Sequence, residues 1–161
     1  MRILLQNIYR PTGYILASAL LFLASSGSFS LSLAEQGRKF LQENSARENI
    51  IVTDSGLQYL IITPGNDVRS GERDKVLVHY QGKNIHGKVF DSTYGGRPIK
   101  LKLNRVIDGW TEGLQQIGEG GRIVLFIPPE LAYGRRGSKP SIGRNETLIF
   151  VIDLLEIIPR N

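Results

Sequence analysis

The chain has two histidines and no cysteine, so few of its residues could carry acid–base, nucleophilic or metal chemistry. His79 stands in the run Val78-His79-Tyr80, facing away from both neighbours if the run is a strand, and His86 lies in a turn, Asn84-Ile85-His86-Gly87. Both read as structural or exposed. The lack of cysteine excludes a disulfide scaffold, a thiolate metal site and a cysteine nucleophile. There is no Gly-x-Ser-x-Gly elbow, no His-Glu-x-x-His pair and no glycine-rich phosphate loop followed by lysine. Gly118-Glu119-Gly120-Gly121 reads as a turn between a helix and a strand. What remains is a set of aromatic and apolar residues dispersed along the chain: Tyr80, Phe90, Ile107, Trp110, Tyr133 and Phe150. They are either plain core or the lining of an apolar pocket.

Positioning such a set is the task of the whole chain, whose 161 residues suffice for one domain with an appendage and exclude a two-domain enzyme. With 41% hydrophobic and 22% charged residues and 18 glycines, the composition is that of a globular protein rich in turns. The net charge of +5 comes from 20 basic residues spread among 15 acidic ones, which argues for a solvated surface and against nucleic acid. Residues 1–34 have the pattern of a signal peptide. Arg2 and Arg10 are the only charges before Glu35, the apolar run Tyr14 to Ala24 is too short to span a bilayer, and Ser32-Leu33-Ala34 offers small residues for cleavage. Processing after Ala34 removes 34 residues with Arg2 and Arg10, leaving 127 residues at net charge +3. The expectation is export to the periplasm or beyond, without a stable membrane span. The alternative is an inner-membrane anchor through residues 14–33.

Residues 35–52 read as a short helical arm with only Phe40 and Leu41 as large apolar groups in its helix-forming part, too little to be stable alone. From Ile50 onward the pattern turns to strands. Leu57, Tyr59 and Ile61 alternate with Gln58, Leu60 and Ile62 up to Pro64-Gly65-Asn66-Asp67. Val76, Val78 and Tyr80 share one face, as do Ile99, Leu101 and Leu103, then Ile123, Leu125 and Ile127, and finally Leu148, Phe150, Ile152 and Leu154. Trp110, Leu114 and Ile117 keep a helical period instead, with Asp108 as N-cap and Gly118 as terminator. So short a helix buries its apolar face only by lying in the concavity of a sheet. The fold class is α+β, a curved antiparallel sheet around one short helix.

Five segments then follow a known family in order and spacing. They are Val78-His79-Tyr80-Gln81-Gly82, Gly87-Lys88-Val89-Phe90-Asp91-Ser92, Val106-Ile107-Asp108-Gly109-Trp110-Thr111-Glu112-Gly113-Leu114, Ile127-Pro128-Pro129-Glu130-Leu131-Ala132-Tyr133-Gly134 and Asn145-Glu146-Thr147-Leu148-Ile149-Phe150. Together, over residues 74–158, they resemble the FKBP-type peptidyl-prolyl cis-trans isomerases. Phe40 to Asn44 and Thr53 to Tyr59 look like the lead-in of bacterial secreted members of the macrophage infectivity potentiator type. The resemblance implies a half-barrel around a short helix, in a domain over residues 53–161. It also implies a pocket floored by Trp110 and walled by Tyr80, Phe90, Val106, Ile107, Tyr133 and Phe150, with Ala132, Ile99 and Ile142 as further substrate contacts and Asp91 as the one buried carboxylate. It implies catalysis of X–Pro rotation in folding or flexible polypeptides, without cofactor or metal, and macrolide-type inhibitors. A holdase-type chaperone or peptide-binding module with little turnover is the alternative.

Two departures bear on specificity. The loop Thr93 to Arg97 is short, leaving Arg97 as the candidate partner of Asp91, and Gly143-Arg144 replaces the family's proline before Asn145. The flap Gly134-Arg135-Arg136-Gly137-Ser138-Lys139 is basic, which suggests a preference for prolines flanked by acidic residues. Because residues 35–49 look like only the end of a dimerising arm, a monomer is expected.

Overall fold

Alternating apolar residues become seven strands of one antiparallel sheet. The computed structural model describes residues 30–159, in which the helix α1 Leu33–Ser45 precedes β1 Ile51–Val52, β2 Gln58–Thr63, β3 Lys75–Asn84, β4 Val89–Ser92 and β5 Ile99–Lys102. A 3-10 turn Leu103–Arg105 leads into α2 Asp108–Leu114, followed by β6 Gly121–Ile127, a second 3-10 turn Pro129–Leu131 and β7 Leu148–Ile158. The sheet order is β1-β2-β6-β7-β3-β4, with β5 also paired to β3. The apolar run Tyr14 to Ala24 and the expected signal peptide up to Phe29 lie outside the described residues. Among the described residues, no helix is long and apolar enough to cross a membrane.

β3 and β7 pair from Lys75↔Ile158 to Asn84↔Leu148, with a register shift between Leu77 and Val78. Such a bulge bends the strand and increases its twist. Val76, Val78 and Tyr80 from β3, Ile123, Leu125 and Ile127 from β6, and Leu148, Phe150, Ile152 and Leu154 from β7 are all buried. They form one cluster with Trp110, Leu114 and Ile117, so α2 lies against the sheet as its apolar period requires. Gly109 and Gly113, one turn apart, set how close it comes. A Cβ on Gly109 would stand 2.5 Å from Ile127 Cγ2, and one on Gly113 2.5 Å from Leu125 Cδ2.

The start of α2 differs from expectation. Asp108 is its first residue rather than its N-cap; that position belongs to Ile107, extended at φ −62°, ψ 147°, without a side-chain cap bond. The Ile107 carbonyl begins the helix by accepting from the N–H groups of Trp110 and Thr111 at 2.9 and 3.2 Å. Asp108 remains in the first turn, where the exposed N–H groups favour a negative charge. The helix also ends at Leu114, before Ile117 and Gly118, which lie in the following turn.

α1 starts at Leu33, two residues before the expected arm. Ser32 caps it: its Oγ accepts from Glu35 N at 3.3 Å, and its own N–H donates to Glu35 Oε2 at 2.8 Å. The helix docks on the outer face of the sheet. Asn44 Nδ2 donates to Gln58 Oε1 at 2.9 Å, Gln58 Nε2 donates to the Leu41 carbonyl at 2.9 Å, and the Phe40 and Phe126 rings lie 6.0 Å apart. Gln58, which alternation places on the outer face, is therefore buried beneath α1, and Phe126, its register partner on β6, is covered too.

Candidate active site

The end of α2 that carries Trp110 leaves part of the concave face uncovered. There a cavity of about 540 Å³ opens, with Tyr80 from β3, Trp110 from α2 and Phe150 from β7 in its lining. Their rings meet edge to face: Tyr80 to Trp110 at 5.0 Å and 83°, Trp110 to Phe150 at 5.2 Å and 86°. Phe90 from β4 adds a contact to Phe150 at 5.6 Å and 81°. These are favoured arrangements of aromatic quadrupoles, and they hold the rings against one another. Gly82 makes room for them. A Cβ there would come within 2.7 Å of both the Phe90 and the Phe150 ring.

Nearly all residues named from sequence converge here: Tyr80, Phe90, Asp91, Ile99, Val106, Ile107, Trp110, Ala132, Tyr133 and Phe150 line the cavity. Ile142 does not; it is 5% exposed and packed into the core cluster. Leu101, Arg105 and Asp108 line the cavity as well and were missed. Leu101 could have been found, because it shares its strand face with Ile99. Arg105 and Asp108 flank Val106-Ile107, so adjacency was the available signal.

Asp91 requires a correction, because its side of β4 is exposed rather than buried. β4 is a four-residue strand at the end of the sheet path, and of its residues only Phe90 is partly buried. Its carboxylate accepts from the Tyr80 hydroxyl at 2.5 Å. Burial, then the hydrogen bond to Asp91 and its charge, push the Tyr80 phenol above the ordinary tyrosine range. Tyr80 therefore stays a donor to Asp91. Arg97 is exposed, and among the described residues it forms no ion pair with Asp91.

Two donors matter for what the cavity can hold. Trp110 Nε1 is buried without a hydrogen-bond partner among the described residues. The Ile107 N–H, between the 3-10 turn and α2, has no acceptor among them either. The Tyr133 side chain stands at the rim, 39% exposed. The basic flap contributes no charge: Arg135, Arg136 and Lys139 are exposed and none lines this cavity. The histidines lie elsewhere, His79 stacked on Tyr94 and 3.1 Å from Thr93 Oγ1, His86 Nε2 2.8 Å from Gln36 Oε1 on α1. Among the described residues, no three His, Asp or Glu side chains cluster so as to hold a metal ion.

Residues 66–155 match the family model of the FKBP-type peptidyl-prolyl cis-trans isomerase, and residues 30–61 match the domain amino terminal to it. A probable FKBP-type peptidyl-prolyl cis-trans isomerase of Haemophilus influenzae is 42% identical over 139 residues, 86% of this chain and 58% of that protein. The outer membrane protein MIP of Legionella longbeachae is 45% identical over 123 residues, 76% of this chain and 53% of that protein. The crystal structure of FkpA from Escherichia coli superposes with a TM-score of 0.74 at 40% identity, covering 77% of this chain and 58% of that one. The chain thus spans little more than half the length of these relatives.

Proposed function

Since the chain belongs to the FKBP-type peptidyl-prolyl cis-trans isomerase family, we propose that its aromatic cavity binds prolyl segments of folding or flexible polypeptides and accelerates rotation about the X–Pro bond. The observation that carries this reading is the cavity itself: about 540 Å³, with Trp110, Tyr80, Phe90 and Phe150 in its lining and a free backbone N–H at Ile107. No bond need be made or broken. Rotation costs about 18–20 kcal/mol because it breaks amide resonance, and uncatalysed it takes about tens to hundreds of seconds. The planar amide is the more charge-separated form, and water stabilises it. A pocket lined by rings withdraws that solvation, so it favours the twisted amide over the planar one, which is differential binding of the transition state. The Ile107 N–H and the Tyr133 hydroxyl then hold substrate carbonyls and orient the chain.

Protease-coupled isomerisation of a proline peptide tests the reading. Trp110→Leu and Phe90→Ala each lower kcat/KM by about tenfold or more, the equivalent of about 1.4 kcal/mol of transition-state binding. Wild-type turnover at the uncatalysed rate would overturn it, and would indicate a module that binds peptides without isomerising them.

The same proposal includes export and a monomeric state, with macrolide-type inhibitors as ligands of the cavity by family resemblance. Export rests on Arg2, Arg10 and the apolar run before Glu35. Cleavage after Ala34 falls within the first turn of α1 and removes its Ser32 cap. N-terminal sequencing of the exported protein is expected to begin at Glu35, with a light-scattering mass of one chain; retention of residues 14–33 would indicate the membrane anchor instead.

A further inference from the structure

A second cavity of about 560 Å³ adjoins the aromatic one, and the side chains lining it include Arg73, Lys75, Lys102, Asn104 and Arg105, with the end of β7 as its remaining wall. Arg105 lines both cavities. Among the described residues that line this space there are four cations and no carboxylate. Lys75 and Lys102 are directly opposed across β3 and β5, an arrangement in which like charges repel. Of the acids close in sequence, Asp74 Oδ2 accepts from Gly71 N at 2.7 Å, while Glu72 and Glu156 are exposed and outside the lining.

We propose that this basic cleft is a subsite for acidic side chains of the client polypeptide, close in sequence to the proline held in the aromatic cavity. This rests on the prolyl-binding reading of that cavity. The shared wall at Arg105 favours a client chain over a free anion. An extended peptide advances about 3.3 Å per residue, so residues two to four positions from the proline reach a neighbouring cleft. Several cations around one concavity concentrate a positive potential that falls off over about 8–10 Å in ordinary salt. The sequence alone directs attention to the flap; the fold moves the charge that touches the cavity to Arg105.

The test compares proline peptides carrying a single Glu, or its neutral isostere Gln, stepped along both sides of the proline, at low and high salt. In at least one register the Glu peptide is expected to exceed the Gln peptide about fivefold in kcat/KM at low salt, the gap closing at about 0.5 M. The double variant Lys75→Gln, Lys102→Gln brings the ratio to one, and Lys102→Glu turns the preference toward a Lys-bearing peptide. The ratio is internal to each variant, so a loss of folded protein does not change it. If wild type turns over the Gln peptides but shows a ratio of one in every register, the cleft is no subsite and the prolyl reading stands. If it turns over neither, both fall. A ratio lost in Arg135→Gln, Arg136→Gln but kept in the lysine variants assigns the preference to the flap and overturns the proposal. So does a ratio of one with lysine-dependent binding to vesicles of anionic phospholipid, or with aggregation of the lysine variants, which would make the lysines guards of a sheet edge.

Discussion

Tyr80 is buried, 8% exposed, as its place on the face of Val76 and Val78 implies, whereas Asp91, the carboxylate expected to be buried, is exposed. Alternation along a strand reports which way a side chain faces, and neither end of β4 carries a signal for how much covers it. The motif therefore brought Asp91 to the cavity correctly and its burial incorrectly. Ile142, which motif position puts at the cavity edge, is absent from the lining and lies in the same buried cluster as Trp110 and Phe150. The Tyr80–Asp91 bond has a measurable consequence. A tyrosine whose value is raised on folding favours the protonated phenol, so its contribution to stability is complete below the ordinary value near 10 and is lost as pH rises through the folded one. In an absorbance titration, Tyr80 should still be protonated after exposed tyrosines have ionised. Asp91→Asn should lower its midpoint without restoring the ordinary value, because burial is the larger cause. Tyr94 is raised as well, by burial and then by its bond to Asp153, so the comparison belongs in a Tyr94→Phe background. An unchanged curve in Asp91→Asn would mean that the bond has no hold on the phenol.

Among the elements, the strands were the most legible, because period-two alternation is dictated by the pleat and the buried faces of β3, β6 and β7 obey it. The helices were legible in existence and less so in placement. α2 keeps the expected Trp110 and Leu114 on its buried face, yet its closeness to the sheet depends on Gly109 and Gly113, which hydrophobic periodicity does not weigh. Gly109→Ala isolates that dependence. Its new methyl would meet the branch atom Cγ2 of Ile127, a fully buried side chain that escapes only by changing rotamer. Overpacking of this kind costs about 1–3 kcal/mol, and it falls beside Trp110. The expected result is a lower denaturation midpoint together with reduced isomerisation; a stabilised protein with full turnover would show that α2 has slack against β6. Gln58 shows the complementary failure. Its burial follows from α1 covering the outer face of β2, and no pattern within β2 contains that information.

At the scale of the molecule, the two helices lie on opposite faces of one sheet, α2 in the concavity beside the cavity and α1 outside. The short arm expected from sequence is thus a docked element, held by the Phe40–Phe126 contact and the Asn44–Gln58–Leu41 hydrogen bonds. Gly37 is buried against Thr147, the residue before β7, whose Oγ1 a Cβ would strike. We propose that the isomerase domain nevertheless folds without it, and a chain beginning near residue 48 tests this. Such a chain loses one aromatic contact, the two bonds of Gln58 and the exposed Gln36–His86 bond, of the order of 2 kcal/mol in all. For a domain of this size that corresponds to a fall in Tm of about 5–10 °C. Uncovering Phe126 adds apolar surface and should raise the tendency to aggregate. None of the lost contacts involves Trp110, Phe90, Phe150 or Ile107, so kcat/KM on a neutral proline peptide should stay within about twofold. Loss of turnover with an unchanged Tm would mean that α1 acts on the cavity through the sheet. Failure to fold at all would make residues 33–45 part of the domain itself.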